Sequence, residues 1–439
     1  MRYAALTLAL FGLSLGDGCS RQQPAAATVA PRDPAYYGKL AGLRASPDQR
    51  LRDELARIVE EGGTPEQLGR SNVAEKDNAA VVLMGLFPAG KVELVRKATE
   101  ELMPPGAFKF DAAKLKKAVE LRTRYDAQRL RAREGLRRPR CDFGIAFEAG
   151  FLADVKFIDV AWICARLEAY RAAEALEDDD LGEAIESLRS MLRLASCLGG
   201  EKHAEARLEA AFLRTRAFAV LQTIVEEPRL GRSHLETLLA MVQDQLRSWP
   251  SDANAWIGDR AAGMHAYEMV RDGVLSDLLT PEELVKFTKQ RGFVERTRSA
   301  KDNADKDELF YLETMWKIIE GCKRPHHLRA AMLEAVAAEL QRLQDSSDYP
   351  LVAAELLLPG VGRGLAIEAQ DRANWEAWGL ALVLAAGRAM PPDDVNPFSG
   401  ERYRVIKQDG QILVGNFGSS ADDQAWITVP ALTAAGTMP

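Results

Sequence analysis

The residues with the richest chemistry in this chain lie around position 322. Cys322, His326 and His327 follow a Cys-x3-His-His spacing. That spacing gathers a soft sulfur and two imidazoles, donors that suit a zinc ion. A zinc site needs three or four ligands, no second cluster completes this one, and Pro325 interrupts it. A helix boundary at Pro325 accounts for the same residues. His203 stands between Glu201 and Glu205, and His265 stands alone. The chain has no His-Glu-x-x-His, no Gly-x-Ser-x-Gly and no Gly-x4-Gly-Lys-Ser/Thr. Gly360-Val361-Gly362-Arg363-Gly364 is glycine-rich but follows no strand pattern, so it does not read as a dinucleotide turn. These patterns predict no cofactor and no metal.

A second kind of chemistry is electrostatic. Between Lys109 and Arg140 the chain carries Lys114, Lys116, Lys117, Arg122, Arg124, Arg129, Arg131, Arg133, Arg137 and Arg138 among few acids. A basic helix of this kind suits anionic lipid headgroups or nucleic acid. Alternatively, the acidic residues from Glu174 to Glu186 answer it within the fold. The whole chain has a formal net charge of −7 over 439 residues, whereas a dedicated nucleic-acid binder carries a basic excess. No nucleic-acid partner is therefore expected.

The cysteines depend on compartment. Met1 and Arg2 precede an uncharged, largely apolar run from Tyr3 to Leu15, too short to span a bilayer but suited to a signal-peptide core. Leu15-Gly16-Asp17-Gly18-Cys19 follows, and then a polar stretch with Pro24, Pro31 and Pro34 that reads as a tether. This layout resembles bacterial lipoprotein precursors, in which cleavage before a cysteine exposes it for lipid attachment. Here the Leu lies one place early and Asp17 intrudes. The resemblance implies an exported protein anchored to an envelope membrane by a lipid on Cys19. In an oxidising compartment disulfides persist. Cys141, Cys164, Cys197 and Cys322 allow three complete pairings. Cys164 with Cys197 is the pair suggested by a single helical hairpin, and four free thiols are the alternative.

The elements that position these residues read as helices. Hydrophobic residues make up 47% and charged residues 28% of the chain, enough for a sizeable core. Helix starts are expected at Ser46-Pro47-Asp48-Gln49, Thr64-Pro65-Glu66-Gln67, Asp180-Leu181-Gly182-Glu183, Ser233-His234-Leu235-Glu236 and Thr280-Pro281-Glu282-Glu283. Each offers a capping oxygen, and each has Glu or Gln three places on. Apolar stripes at helical spacing run through Leu181, Ile185, Leu188 and Leu192, through Leu235, Leu238, Leu239 and Val242, and through Leu333, Val336, Leu340 and Leu343. Such stripes predict partners on one side. The clearest hairpin spans Phe151 to Leu198 with its turn at Glu177-Asp178-Asp179-Asp180, and its Ala-rich arms resemble tetratricopeptide-type hairpins. No fixed-period repeat aligns along the chain, so an irregular array is expected.

After Gly387 the character changes. Arg402 to Lys407 and Gln411 to Asn416 read as strands joined at Asp409-Gly410, and Ala425 to Val429 is a candidate third strand. The long helix opened by Leu356-Leu357-Leu358-Pro359-Gly360, the segment Asn396-Pro397-Phe398-Ser399-Gly400-Glu401-Arg402-Tyr403-Arg404 and the loop from Gly415 to Asp423 resemble the C-terminal part of type II secretion pseudopilins and pilin-like proteins. No Phe-Thr-Leu-x-Glu signature precedes the helix. That resemblance implies a calcium-holding loop, for which Asp422 and Asp423 are the only matching carboxylates, against six or more oxygens for a calcium site. Glu186-Ser187 resembles the catalytic dipeptide of lytic transglycosylases, but the downstream Gly-Leu-Met-Gln run is missing.

The sequence thus predicts an all-α fold, an irregular helical-hairpin array with a small C-terminal β-hairpin appendix. Its expected divisions are a signal peptide over 1–18, a tether over 19–45, the helical array over 46–348, and a long helix with an antiparallel β tail over 349–439. The leading functional expectation is a membrane-anchored envelope scaffold that binds an unknown protein partner. The rivals are an envelope hydrolase acting on a cell-wall or glycan substrate, and a membrane-surface module built on Lys109 to Arg140.

Overall fold

The computed structural model describes residues 48–431 apart from 70, 72, 104–107, 275–278, 280–292, 390–394 and 418–423. Cys19, Asp422 and Asp423 lie outside the described residues, as do the helix starts expected at Ser46 and Thr280. The chain is mostly helical, with one small antiparallel sheet near its C-terminus. Among the described residues no helix is long and apolar enough to cross a membrane.

The first described helices are α1 (Gln49–Glu60), α2 (Ala79–Met84), α3 (Val92–Leu102), α4 (Ala112–Arg124) and α5 (Asp126–Gly135). Asp48 caps α1 through the Arg50 amide, two places later than the expected cap. The single turn Pro65–Leu68 carries the expected box. There the Thr64 hydroxyl accepts from the Gln67 amide, and the Gln67 side chain accepts from the Thr64 amide.

Then come α6 (Lys156–Glu177), α7 (Leu181–Gly200) and α8 (Ala204–Val225), which pack side by side. The α6–α7 turn and the Asp180 cap lie where the sequence puts them, with Asp180 Oδ1 accepting from the Glu183 amide at 3.0 Å. The first arm begins at Lys156 rather than Phe151 because Phe147–Leu152 is a 3₁₀ segment broken at Gly150. Gly150 has φ +54°, and a Cβ there would run into the His265 ring, so only glycine fits. Ala and Leu let α6 and α8 be covered on nearly every side, as central helices must be.

Next are α9 (Arg232–Arg247), α10 (Ala253–Asp272), α11 (Phe293–Asp302), α12 (Ala304–Gly321), α13 (Ala330–Leu343) and α14 (Val361–Ala385). α9 buries its predicted stripe of Leu235, Leu238, Leu239 and Val242. It starts at Arg232, ahead of the expected Ser233 cap, with His234 Nδ1 accepting from the Gly231 amide at 3.3 Å. A π-turn, Ala353–Leu357, precedes α14. The amides of Val352 and Ala353 donate to the Asp307 carboxylate at 2.8 and 2.9 Å, which satisfies donors left over at the altered turn.

Strands β1 (Arg404–Gln408), β2 (Gln411–Phe417) and β3 (Gln424–Pro430) form a sheet in the order β1-β2-β3. Asp409 and Gly410 both have positive φ, the geometry a tight two-residue hairpin needs. Alternation puts Ile412, Val414, Ile427 and Val429 on the buried face, against α14. Tyr403 fastens the sheet by donating to the Ala373 carbonyl at 3.0 Å.

Apolar burial divides into two cores. One holds α6, α7, most of α8, α9, the C-terminal part of α14 and the sheet. The other holds α1, α10, α12, the π-turn and the first turns of α8 and α14. Both α8 and α14 therefore cross the seam: Leu208 and Leu365 belong to the second core, Leu213 and Trp375 to the first.

Candidate functional site

The basic stretch is split by the fold into two populations. Arg122, Arg129 and Arg133 turn inward. Arg133 forks onto the buried Glu168 carboxylate, with Nε and Nη2 donating at 2.7 and 2.6 Å, and Nη2 also reaches Glu183 at 2.8 Å. Arg129 Nη1 lies 3.4 Å from Glu168, and Arg122 reaches Glu174 at 3.1 Å. Burial pulls the Arg133 pKa down, but the hydrogen bonds and negative charges of Glu168 and Glu183 together raise it above its ordinary value, so the guanidinium stays charged. The acidic residues of α6 and α7 thus answer Arg122, Arg129 and Arg133 of the basic stretch. Lys116, Lys117, Arg124, Arg131 and Arg137 remain exposed, and Leu130 beside them is 50% exposed.

At the seam between the cores lies an ionic lattice that no sequence motif announced. Arg207 and Arg214 come from α8, Glu368 and Asp371 from α14, and Asp252 precedes α10. Arg214 pairs with Asp371. Arg207 reaches Asp252 at 3.3 Å and Glu368 at 3.5 Å, and Arg329 grips the other Asp252 oxygen at 2.7 Å. Trp256 Nε1 donates to Glu368 at 3.2 Å. The guanidinium carbons of Arg207, Arg214 and Arg372 lie 5.5, 4.5 and 5.2 Å from the Trp249 ring centre, so three cations share one indole. Spacing held a clue: 207 and 214 lie two helical turns apart, as heptad-spaced residues do, and 368 and 371 nearly one turn apart.

Burial dominates the electrostatics of the seam. It pushes the Glu368 carboxyl up to about 8, with Arg207 opposing, and pushes Asp371 up, with Arg214 opposing. It pulls Arg214 down, against the attraction of Asp371. Arg214 Nε, Trp249 Nε1, Arg329 Nη1 and Asp371 Oδ1 have no hydrogen-bond partner among the described residues. A general acid must reach the group it protonates. Glu368 is only 2% exposed, so this arrangement ties helices together rather than presenting carboxylates to an external substrate.

The zinc-like cluster has a different use. Among the described residues no group of three or more His, Cys, Asp or Glu is placed to hold a metal. His326 stacks on Phe398 with ring centres 5.0 Å apart, and the His327 amide and Nδ1 face the Pro397 carbonyl at 3.4 and 3.2 Å. Cys322 is buried, and its carbonyl accepts from Arg329 at 3.1 Å. His326 and His327 dock the 396–400 loop onto the 326–328 turn, while Cys322 helps hold Arg329. That loop is shaped by Asn396, whose Oδ1 accepts from the Phe398 and Ser399 amides.

The remaining expectations resolve one by one. Glu186 lies on the outside of α7 paired with Arg189, while Ser187 is buried and accepts from Arg133. Gly360, at φ +91°, starts α14 with no strand before it. Cys141, Cys164, Cys197 and Cys322 are free thiols. The neighbour of Cys197 is Cys141, not Cys164. Cys164 sits inside α6, where burial and then Glu168 raise its pKa. The 140–145 segment, which hairpin geometry does not foresee, runs beside the C-terminal end of α7 in the same direction as the helix.

One predicted stripe is not packed. On α13, Leu333 touches the second core, but Val336, Leu340 and Leu343 belong to neither core and are only half covered. No residue of α13 is buried. Leu328, in the turn that leads into it, is 55% exposed. A helix with an amphipathic pattern and one open apolar edge is suited to packing against a further helix or groove. No known protein family, no curated protein and no solved structure matches this chain.

Proposed function

We propose that this protein is a helical scaffold that binds another protein through the open edge of α13. The observation that carries this reading is the contrast between α9 and α13. Both have apolar residues at helical spacing, yet α9 buries its stripe and α13 leaves Val336, Leu340 and Leu343 half covered. Fully burying an exposed side chain of this size is worth roughly 1.5–3 kcal/mol, so a partner that covers what remains open on these three would gain a fraction of that from each, with the 55% exposed Leu328 adding more. The interior charges support the same reading, since Glu168 and the seam carboxylates are engaged by the protein's own arginines.

The test is a Val336→Glu, Leu340→Glu double variant. Because neither residue is buried, unfolding stability is expected to change by less than about 1 kcal/mol. Proteins co-purified with the wild type from gently solubilised membranes should be lost with the variant. An unchanged set of co-purified proteins from an equally stable variant would remove α13 as the binding edge.

The same proposal places the scaffold at an envelope membrane, exported by the 1–18 segment and held by a lipid on Cys19. Its support is the lipoprotein-like layout and the exposed cations Lys116, Lys117, Arg124, Arg131 and Arg137, which suit anionic headgroups. Cys19→Ala is expected to move the protein from the membrane fraction to the soluble fraction. A variant that stays membrane-bound would overturn the anchor.

A further inference from the structure

We propose that Cys141 and Cys197 form an intramolecular disulfide that pins the 141–145 segment to the end of α7. The argument begins with register. Arg193 and Cys197 lie one turn apart on one side of α7, and Glu201 follows directly as its C-cap residue. The incoming segment meets that side in order. Arg193 Nη1 donates to the Leu136 carbonyl at 3.3 Å, and Glu201 Oε1 accepts from the Phe143 amide at 3.0 Å. Cys197 lies between the two helix contacts and Cys141 between the two segment contacts, so the thiols come level. The Cys197 side chain, and then burial, push the Cys141 thiol up, as close thiol neighbours do.

The backbone on either side of Cys141 is held in place. Asn78 clamps Asp142 twice, donating to its carbonyl at 2.8 Å and accepting from its amide at 2.9 Å. The Arg140 carbonyl accepts from the Ala79 amide at 2.8 Å. Phe143 stacks on Phe157 with ring centres 4.4 Å apart. A disulfide needs its two Cα atoms within a narrow range, and this clamping holds one partner while the helix holds the other. Both thiols are partly exposed, whereas Cys164 and Cys322 are buried. A small oxidant can therefore reach this pair and not the other two.

The chemistry is thiol–disulfide exchange with a disulfide-bearing oxidant, either a small-molecule disulfide or a dithiol oxidoreductase. One cysteine thiolate attacks the oxidant's S–S bond, forms a mixed disulfide and releases one thiolate. The second cysteine thiolate attacks the protein sulfur of that mixed disulfide, forms the Cys141–Cys197 bond and releases the other. The protein loses two electrons and two protons, and the oxidant leaves as two thiols. The bond closes a loop around the α6–α7 hairpin and removes freedom from the unfolded chain. It does not depend on what α13 binds.

The experiment treats the folded full-length protein with oxidised glutathione, alkylates remaining thiols after denaturation, and maps the peptides. The expected product is a Cys141–Cys197 linked peptide within one molecule, with Cys164 and Cys322 alkylated. The oxidised protein should melt roughly 2–6 °C above the reduced protein. In Cys141→Ser, Cys197 should stop at the mixed disulfide with glutathione. Linkage of Cys197 to Cys164, linkage between molecules, or two separate mixed disulfides in the wild type would each overturn the assignment. The wild-type map stands alone if the variant fails to fold.

Discussion

Replacing Arg214 with alanine is expected to destabilise the protein by about 3–5 kcal/mol, the usual cost of removing one partner from a buried ion pair. Arg214 is 2% exposed, and its partner Asp371 is 6% exposed. Without the guanidinium, the Asp371 carboxylate has Arg207 as its remaining cationic neighbour, at a greater distance than a hydrogen bond, and the Trp249 ring loses its closest cation. The loss falls where α8 and α14 cross between the cores, so it loosens both. Arg214→Met combined with Asp371→Leu removes both charges and keeps most of the volume. That double variant is expected to recover most of the loss, because no unpaired charge stays buried. Urea unfolding of the three proteins checks this. A loss under 1 kcal/mol for Arg214→Ala would show that the seam is not held by this pair.

Thermal stability is expected to rise as pH falls from 8 towards 6. Burial pushes the carboxyls of Glu201 and Glu368 up to about 8, from an ordinary value of 4.5. Between those limits the folded protein holds two protons that the unfolded chain has released. Stability is then greatest at the acid end of the window and is lost as pH rises through 8, by up to about 1.4 kcal/mol per pH unit for each group. Asp307, pushed up to about 6 by burial against its Tyr267, Ala353 and Val352 donors, adds in the same direction below pH 6. His326 works the other way, since burial lowers its pKa and the folded state disfavours its charged form. Arg96 lowers Glu93, and against burial the arginine partners lower Asp126 and Glu183, so the contribution of these carboxylates is lost only at more acid pH. Glu201→Gln and Glu368→Gln should each flatten the profile and raise the melting temperature at pH 8. A melting temperature that falls steadily from pH 8 to pH 6 would contradict this balance.

Much of the helical architecture was legible because it rests on local physics. The Thr64 box, the Asp180 cap and the Asp409-Gly410 turn satisfy backbone groups within four residues, so sequence spacing is sufficient to find them. The α9 stripe was legible for the same reason, since 3.6-residue periodicity and burial coincide there. The α13 stripe has the same periodicity and a different outcome, because periodicity says that a helix has an apolar side and not whether anything covers it. The first arm of the hairpin was set too early, because the break at Gly150 answers to His265 more than a hundred positions away.

What the sequence by itself determined is the fold class, many of the helix and strand positions, and the basic character of the 109–140 stretch. Tertiary structure alone decided which charges face one another. Arg133 meets Glu168, Arg214 meets Asp371, and Cys197 meets Cys141 rather than Cys164. The reason is range. Caps and stripes are set by neighbours one to four residues apart, whereas each of these contacts joins segments that only packing brings together. A residue type carries no information about a partner 35 or 157 positions away until the cores between them have formed.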